Sequence, residues 1–229
     1  MKKLLSLLLA IILLIGVSHA FCEQEEFTFR GVHFGTKYTD VMNEFSAYSW
    51  ENMDPFPGTG VMNTLKNTED TFTYNTQFRS FAYDTGISVG GHKVDAIRLD
   101  FLFGKDKNGT VSTNSKDSIF FGAMYYFEAT EEKDADLWFK EYKDKLTALY
   151  GKATNTWQDW PTPFSARQDF VLWKSGNVYI RLKEYSNLNL LATSDYYVTI
   201  TYMWADADPL LTEINKLQKD SIMEDSDGL

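Results

Sequence analysis

Five groups of residues in this chain have types and spacings that can do chemistry. Gly86-Ile87-Ser88-Val89-Gly90 matches G-x-S-x-G, the turn that presents a nucleophilic serine in many hydrolases. That turn needs a strand before it and a helix after it. Here Gly90, Gly91 and a strand-like run follow, and the nearest histidine, His92, lies only four residues on. The pattern reads as a glycine-rich loop between antiparallel strands, and a hydrolase built on Ser88 ranks third among the functions weighed.

Metal and carboxylate chemistry fare no better. His33 and His92 could ligate a metal only if the fold joined them with carboxylates such as Asp40 or Asp95, and no Cys–His spacing supports a site. Asp106-Lys107-Asn108-Gly109-Thr110 has the composition of a calcium loop. An EF-hand, however, needs Gly at position six and Glu at position twelve, where this chain has Val111 and Asp117. A hairpin turn accounts for that segment, and Asn108-Gly109-Thr110 also fits the three-residue glycosylation rule. Asp95 and Asp100 are an odd number apart in one strand candidate, which places them on opposite faces, as exposed strand-edge charges. Catalytic residues, metal ligands and cofactors are therefore all expected to be none.

The group retained is Trp157-Gln158-Asp159-Trp160-Pro161, with Pro163 beyond it. Two tryptophans in a proline-stiffened loop can stack on a sugar, anchor a protein partner or cover a core edge. Trp157 and Trp160, together with Trp50 at the start of a second loop, are the candidate ligand- or partner-binding residues.

The elements that position these groups follow from periodicity. Residues 27–30 form a short strand candidate, and Thr36 caps a helix reaching about Tyr48, with Val41 and Phe45 inward. Trp50 to Thr71 contains Pro55, Pro57, Gly58 and Gly60 and reads as a long irregular loop. Strands are expected over 78–83, 93–103 and 118–128; Ile97, Leu99, Phe101 and Phe103 alternate onto one face. Thr130 caps a second helix whose stripe is Trp138, Tyr142, Leu146 and Leu149, and Gly151 ends it in the left-handed conformation. Strands over 154–160, 169–173, 178–184 and 196–204 follow, with a tight turn at Ser175-Gly176-Asn177. Asp208-Pro209 begins a last helix with Leu210, Leu211, Ile214 and Leu217.

The expected fold class is α+β: antiparallel meander sheets with helices on one face, in one domain over residues 27–218. Its possible halves are 27–128 and 129–218, each a helix followed by a meander, and whether they share one sheet is open. Residues 21–26 read as a linker and 219–229 as an acidic tail.

The N-terminus sets the expected compartment. Lys2 and Lys3 precede a fourteen-residue apolar run, Leu4 to Val17, and then Ser18-His19-Ala20. This is the layout of a cleavable signal peptide over residues 1–20, too short to span a bilayer. Phe21 before Cys22 and His19 three before it do not suit lipid attachment, so no lipid anchor is expected. Cleavage leaves 209 residues with 20 basic and 32 acidic side chains, a net charge of −12. Such a surface repels phosphate backbones and anionic membranes, which argues against nucleic acid as a partner. A single cysteine allows no internal disulfide.

Phe29-Arg30-Gly31-Val32-His33-Phe34-Gly35-Thr36, followed by Asp40-Val41, resembles the opening of many small exported bacterial proteins of unknown function. Leu149-Tyr150-Gly151-Lys152 at a helix end is a second shared feature. The helix-then-meander order also looks like the beta-lactamase inhibitor protein family and the SmpA/OmlA-type outer-membrane assembly lipoproteins. That resemblance implies an α+β unit, sometimes in tandem, that binds other proteins and does no chemistry. The leading expectation is an exported non-enzymatic protein-interaction module, in the periplasm, at the cell surface or secreted. A carbohydrate-binding module using the Trp157/Trp160 loop is the alternative.

Overall fold

The computed structural model describes residues 27–53, 78–102, 104–105, 107–108, 111–112, 115–159, 168–188 and 194–207. The expected signal peptide, linker, C-terminal helix and tail lie outside the described residues, as do Trp160 and most of the 50–71 loop.

The chain opens with a hairpin, β1 (Thr28–Phe29) and β2 (Val32–His33), followed by α1 (Tyr38–Glu44). α1 is shorter than its apolar spacing predicts and Thr36 does not cap it; Lys37 holds the N-cap position without a side-chain bond. Backbone bonding to the central sheet explains this. Gly35 N donates to Phe120 O, Phe120 N donates to Thr36 O, and Lys37 bridges Ile119, so the chain stays extended until Tyr38. Val41 and Phe45 are buried as expected.

Eight strands then build one sheet. β3 (Glu51–Met53) occupies the start of the expected loop, which corrects that part of the reading. β4 (Phe78–Tyr83), β7 (Ala96–Leu102) and β10 (Ile119–Ala129) follow the alternation in the sequence. Between them sit two small hairpins, β5 (Ser88–Val89) with β6 (His92–Lys93), and β8 (Gly104–Lys105) with β9 (Val111–Ser112). After α2 (Glu132–Tyr150) come β11 (Asn155–Asp159), β12 (Gln168–Ser175), β13 (Val178–Leu188) and β14 (Ser194–Trp204).

The strand order is β11-β12-β13-β14-β10-β7-β4-β3, and every pairing is antiparallel. The chain is thus an α+β fold in which each half is a helix followed by a four-strand meander. The two meanders meet through their last strands, β10 and β14, from Gly122↔Met203 to Ala129↔Tyr196. The open question about the halves is answered by that seam: they form a single sheet.

One face of the sheet carries the main core. Ile97, Leu99, Phe101, Tyr125, Phe127, Trp173, Ile180, Leu182, Val198 and Ile200 pack with Ala135, Tyr142 and Leu146 of α2 and Val41 of α1. Two details of α2 differ from expectation. Glu131, not Thr130, stands at its N-cap and makes no side-chain cap bond, while Glu132 and Asp134 in the first turn meet the positive dipole end. Leu149 is 73% exposed. The buried ridge runs by steps of four from Tyr142 through Leu146 to the half-buried Tyr150, whose hydroxyl bonds Tyr202. Gly151 does end the helix with positive φ, at φ 79 and ψ −154. Its ψ lies outside the left-handed helical region, in a conformation accessible essentially to glycine alone.

Candidate functional site

The second face of the sheet is built differently. Strand register defines it: Arg79, Phe81 and Tyr83 of β4 pair with Asp100, Arg98 and Ala96 of β7. These pair in turn with Gly122, Met124 and Tyr126 of β10, then Met203, Thr201 and Thr199 of β14, then Tyr179, Arg181 and Lys183 of β13. Because side chains alternate, none of these residues points toward the helices. Among the described residues, only the turn Ala205–Ala207 joins this face, where Leu102, Phe121, Leu172, Tyr179 and Met203 form a small apolar cluster at one end.

The middle of the face is cationic and aromatic. One row across the sheet, from β12 to β4, reads Leu172, Arg181, Thr201, Met124, Arg98 and Phe81. The next reads Phe170, Lys183, Thr199, Tyr126, Ala96 and Tyr83. Those two rows hold three cations and no carboxylate, within a chain whose net charge is −10. Tyr185 and Tyr197, the adjacent cross-strand pair, stack with centroids 5.3 Å apart. Phe81 stacks on Tyr83 at 6.2 Å and meets Tyr126 at 6.3 Å. Arg181, Lys183, Tyr185, Tyr197, Tyr126, Phe170 and Phe81 are all half-buried.

Two of the three cations have distinct settings. Arg98 is 9% exposed and Asp100 fully buried, which corrects the expectation that Asp100 is an exposed edge charge. β7 is an interior strand whose seven residues are all buried, so a charge on either face must be paired. The Arg98 guanidinium donates to Asp100 through Nε at 3.1 Å and Nη2 at 2.9 Å, and Nη1 donates to the Tyr126 hydroxyl at 3.0 Å. A Cβ at Gly122, the Cα partner of Asp100, would make ordinary contact with the Asp100 Cβ and the Met203 Cγ, each at 3.4 Å. Asp95 is likewise no edge charge: it is half-buried, and its Oδ2 accepts the Glu128 N–H at 2.7 Å.

Lys183 is held otherwise. Its ammonium sits 4.9 Å from the Tyr185 ring centroid, and burial together with the neighbouring Arg181 lowers its pKa to about 8. The surrounding phenols stay neutral at ordinary pH, because burial raises the pKa of both Tyr126 and Tyr185. Thr201 Oγ1, opposite Arg181, is buried without a hydrogen-bond partner.

The sequence-derived candidates are placed as follows. Trp50 is half-buried; its Nε1–H donates to Phe45 O at 2.9 Å, and its ring meets Phe45 and Tyr48 edge-on. Trp157 stands in the edge strand β11, in register with Phe170 and so in the same row as Lys183. Trp160 lies outside the described residues. Trp50 belongs to β3's end of the sheet and Trp157 to the opposite edge, so the fold does not bring them together.

Ser88 is exposed in the β5–β6 hairpin and is followed by a strand, as the loop reading expects. The second glycine of its motif has a packing reason. Gly90 has φ +59, and a Cβ there would lie 2.6 Å from Tyr142 Cε1. The hairpin docks on α2 at this point: Tyr142 donates to Val89 O at 2.8 Å and Lys145 to Gly90 O at 2.6 Å. His92 Nε2 lies 2.9 Å from Glu141 Oε2, an arrangement that lowers the Glu141 pKa. His33 is exposed in β2, and no cluster of three or more metal-ligating side chains occurs among the described residues. Among the described residues, no helix is long and apolar enough to cross a membrane.

The cationic and aromatic face was not found from sequence. Two signals for it were present: Arg98 and Asp100 two apart in one strand, and the alternating Tyr179-Arg181-Lys183-Tyr185. Compared with known proteins, the chain matches no family model, no curated protein and no solved structure.

Proposed function

We propose that the protein is an exported, non-enzymatic interaction module that binds a protein partner on the face of its sheet opposite the two described helices. The observation that carries this reading is the composition of that face. Among the described residues the helices cover one side of the sheet, while the other carries half-buried tyrosines and phenylalanines around Arg98, Arg181 and Lys183. Tyrosine and arginine are the side chains enriched at the energetic centres of protein interfaces, because each buries much area and keeps a polar end. Ring stacking between Tyr185 and Tyr197 fixes these side chains before binding, which reduces the ordering cost on association. Strand β11, which carries Trp157, is an edge strand of the same sheet.

The test uses the mature protein as bait in native envelope extract, beside two variants. Tyr185→Ala with Tyr197→Ala removes the stacked pair; Lys143→Ala alters an exposed residue of α2. A stoichiometric partner retained by wild type and Lys143→Ala, and lost by the double variant, is the expected result. A partner held equally by all three refutes the assignment of this face.

A further inference from the structure

We propose that Arg30, at the tip of the β1–β2 hairpin, is a binding site for an acidic side chain of a protein partner, with Tyr48 and Tyr125 holding its guanidinium in place. The site goes beyond the reading above and does not depend on it. Tyr125 belongs to the side of the sheet that meets the helices, so Arg30 marks a second contact surface.

The backbone at this tip is strained. Phe29 pairs with Val32, so Arg30 and Gly31 alone make the turn, with φ of 53° and 88°. Positive φ at both central positions is the type I′ hairpin turn, whose first position favours Asn, Asp or Gly. A long side chain in the left-handed region costs free energy, and such strain persists where the side chain has a use beyond the turn.

The side chain is exposed yet held. The Arg30 guanidinium donates to the hydroxyls of Tyr125, on β10, and Tyr48, just beyond α1. Among the described residues, no carboxylate joins those two phenols as a partner. In a chain of net charge −10, this cation is fixed without being neutralised. The hairpin beneath it is fixed as well: Phe29 and Val32 are buried, and the Phe29 ring lies 5.0 Å from that of Tyr125. A guanidinium has five N–H groups; the phenols take part of them, and the exposure of Arg30 leaves the rest to solvent.

A planar fork held in this way matches a carboxylate through two parallel hydrogen bonds, and little freedom is lost when they form. Tyr48 meets Trp50 edge-on at 6.2 Å, and both are half-buried, which extends the site with aromatic surface. Arginine, tyrosine and tryptophan are the side chains enriched at the energetic centres of protein interfaces. That composition favours an acidic side chain carried by a protein. A polyphosphate is repelled at long range by the net charge of −10.

The test is an NMR titration of the mature protein, read at the Arg30 Nε–H and the Gly31 amide. The probes are hexaglutamate, hexaglutamine and inorganic phosphate. Hexaglutamate is expected to shift both signals saturably, and hexaglutamine to leave them in place. Arg30→Asn suits the turn and should keep the fold by far-UV circular dichroism. It should weaken hexaglutamate binding at the Gly31 amide by about tenfold or more, the effect of losing a hydrogen bond between charged groups. Arg30→Lys keeps the charge without the fork and should bind more weakly than wild type. Tyr48→Phe releases one side of the guanidinium and should weaken binding with Arg30 still present.

Unmoved signals overturn the site, and so does wild-type affinity in Arg30→Asn. Phosphate binding more tightly than hexaglutamate overturns the carboxylate assignment. Because the readout is local to the hairpin, it is independent of the extract experiment on the Tyr185/Tyr197 face. Either reading can fail while the other stands.

Discussion

Replacing one member of the Arg98–Asp100 pair tests whether the second face holds an ion pair that must be intact. The contacts are near 3 Å, and at an effective dielectric of about 20 two unit charges at that distance attract by roughly 5 kcal/mol. Removing both groups from water costs several kcal/mol each, so the pair as a unit contributes little relative to apolar residues of the same size. Breaking it is another matter. Arg98→Met takes both guanidinium hydrogen bonds from the fully buried Asp100, and a loss of about 3–5 kcal/mol is expected. Asp100→Leu should cost somewhat less, because the guanidinium keeps the Tyr126 hydroxyl and is not wholly buried. Combining the two substitutions should return stability to within about 1 kcal/mol of wild type. Urea unfolding reads this directly: at a slope near 3 kcal/mol per molar, Arg98→Met lowers the midpoint by about 1–1.7 M and Asp100→Leu by somewhat less. A double variant less stable than either single variant, or an Arg98→Met midpoint indistinguishable from wild type, refutes the reasoning.

Gly90→Ala should cost about 2–4 kcal/mol, combining a left-handed backbone with overpacking against Tyr142. Amide exchange over residues 88–93 should then accelerate more than exchange in the β10–β14 seam. Trp50→Phe should cost about 1 kcal/mol for the lost bond to Phe45 O, and Trp50→Ala about 2, both read from urea midpoints. Lys183 gives a pH signature. Its folded pKa lies below the ordinary 10.5, so between about 8 and 10.5 the unfolded chain binds more protons and stability rises with pH. The urea midpoint of wild type minus that of Lys183→Met should therefore increase from pH 7.5 to 9.5; a flat difference contradicts the desolvated setting.

The sequence carried the sheet well and its second face poorly. β4 falls where the alternation places it, and β10 within a residue, because a strand buried on one face writes its period into the chain. β7 shows where that logic fails. Ile97, Leu99 and Phe101 announced the core face, and the polar residues between them read as solvent-facing. Only the strand's place inside the sheet, flanked by β4 and β10, reveals that Arg98 and Asp100 are buried together. The grouping of Lys183 with Thr199 and Tyr126 depends on pairings between strands far apart in sequence, which one-dimensional patterning does not encode. Helix ends misled for a local reason: Thr36 and Thr130 have good cap chemistry, but at Thr36 the backbone bonds to β10 decide where the helix starts.

The seam between β10 and β14 has a consequence for how the chain is made. Gly122 finds Met203 only after 81 further residues have been synthesised, so the N-terminal meander is complete long before its inner edge is covered. During that interval β10 lacks its partner along the eight residues from Gly122 to Ala129, which include Tyr125 and Phe127, and that edge is a template for pairing with another chain. A fragment ending at residue 131 should accordingly self-associate through that edge, while the full-length chain closes it from within. Folding of this protein is thus gated by its last strand, and any holdase acting on the nascent chain has β10 as its natural client surface.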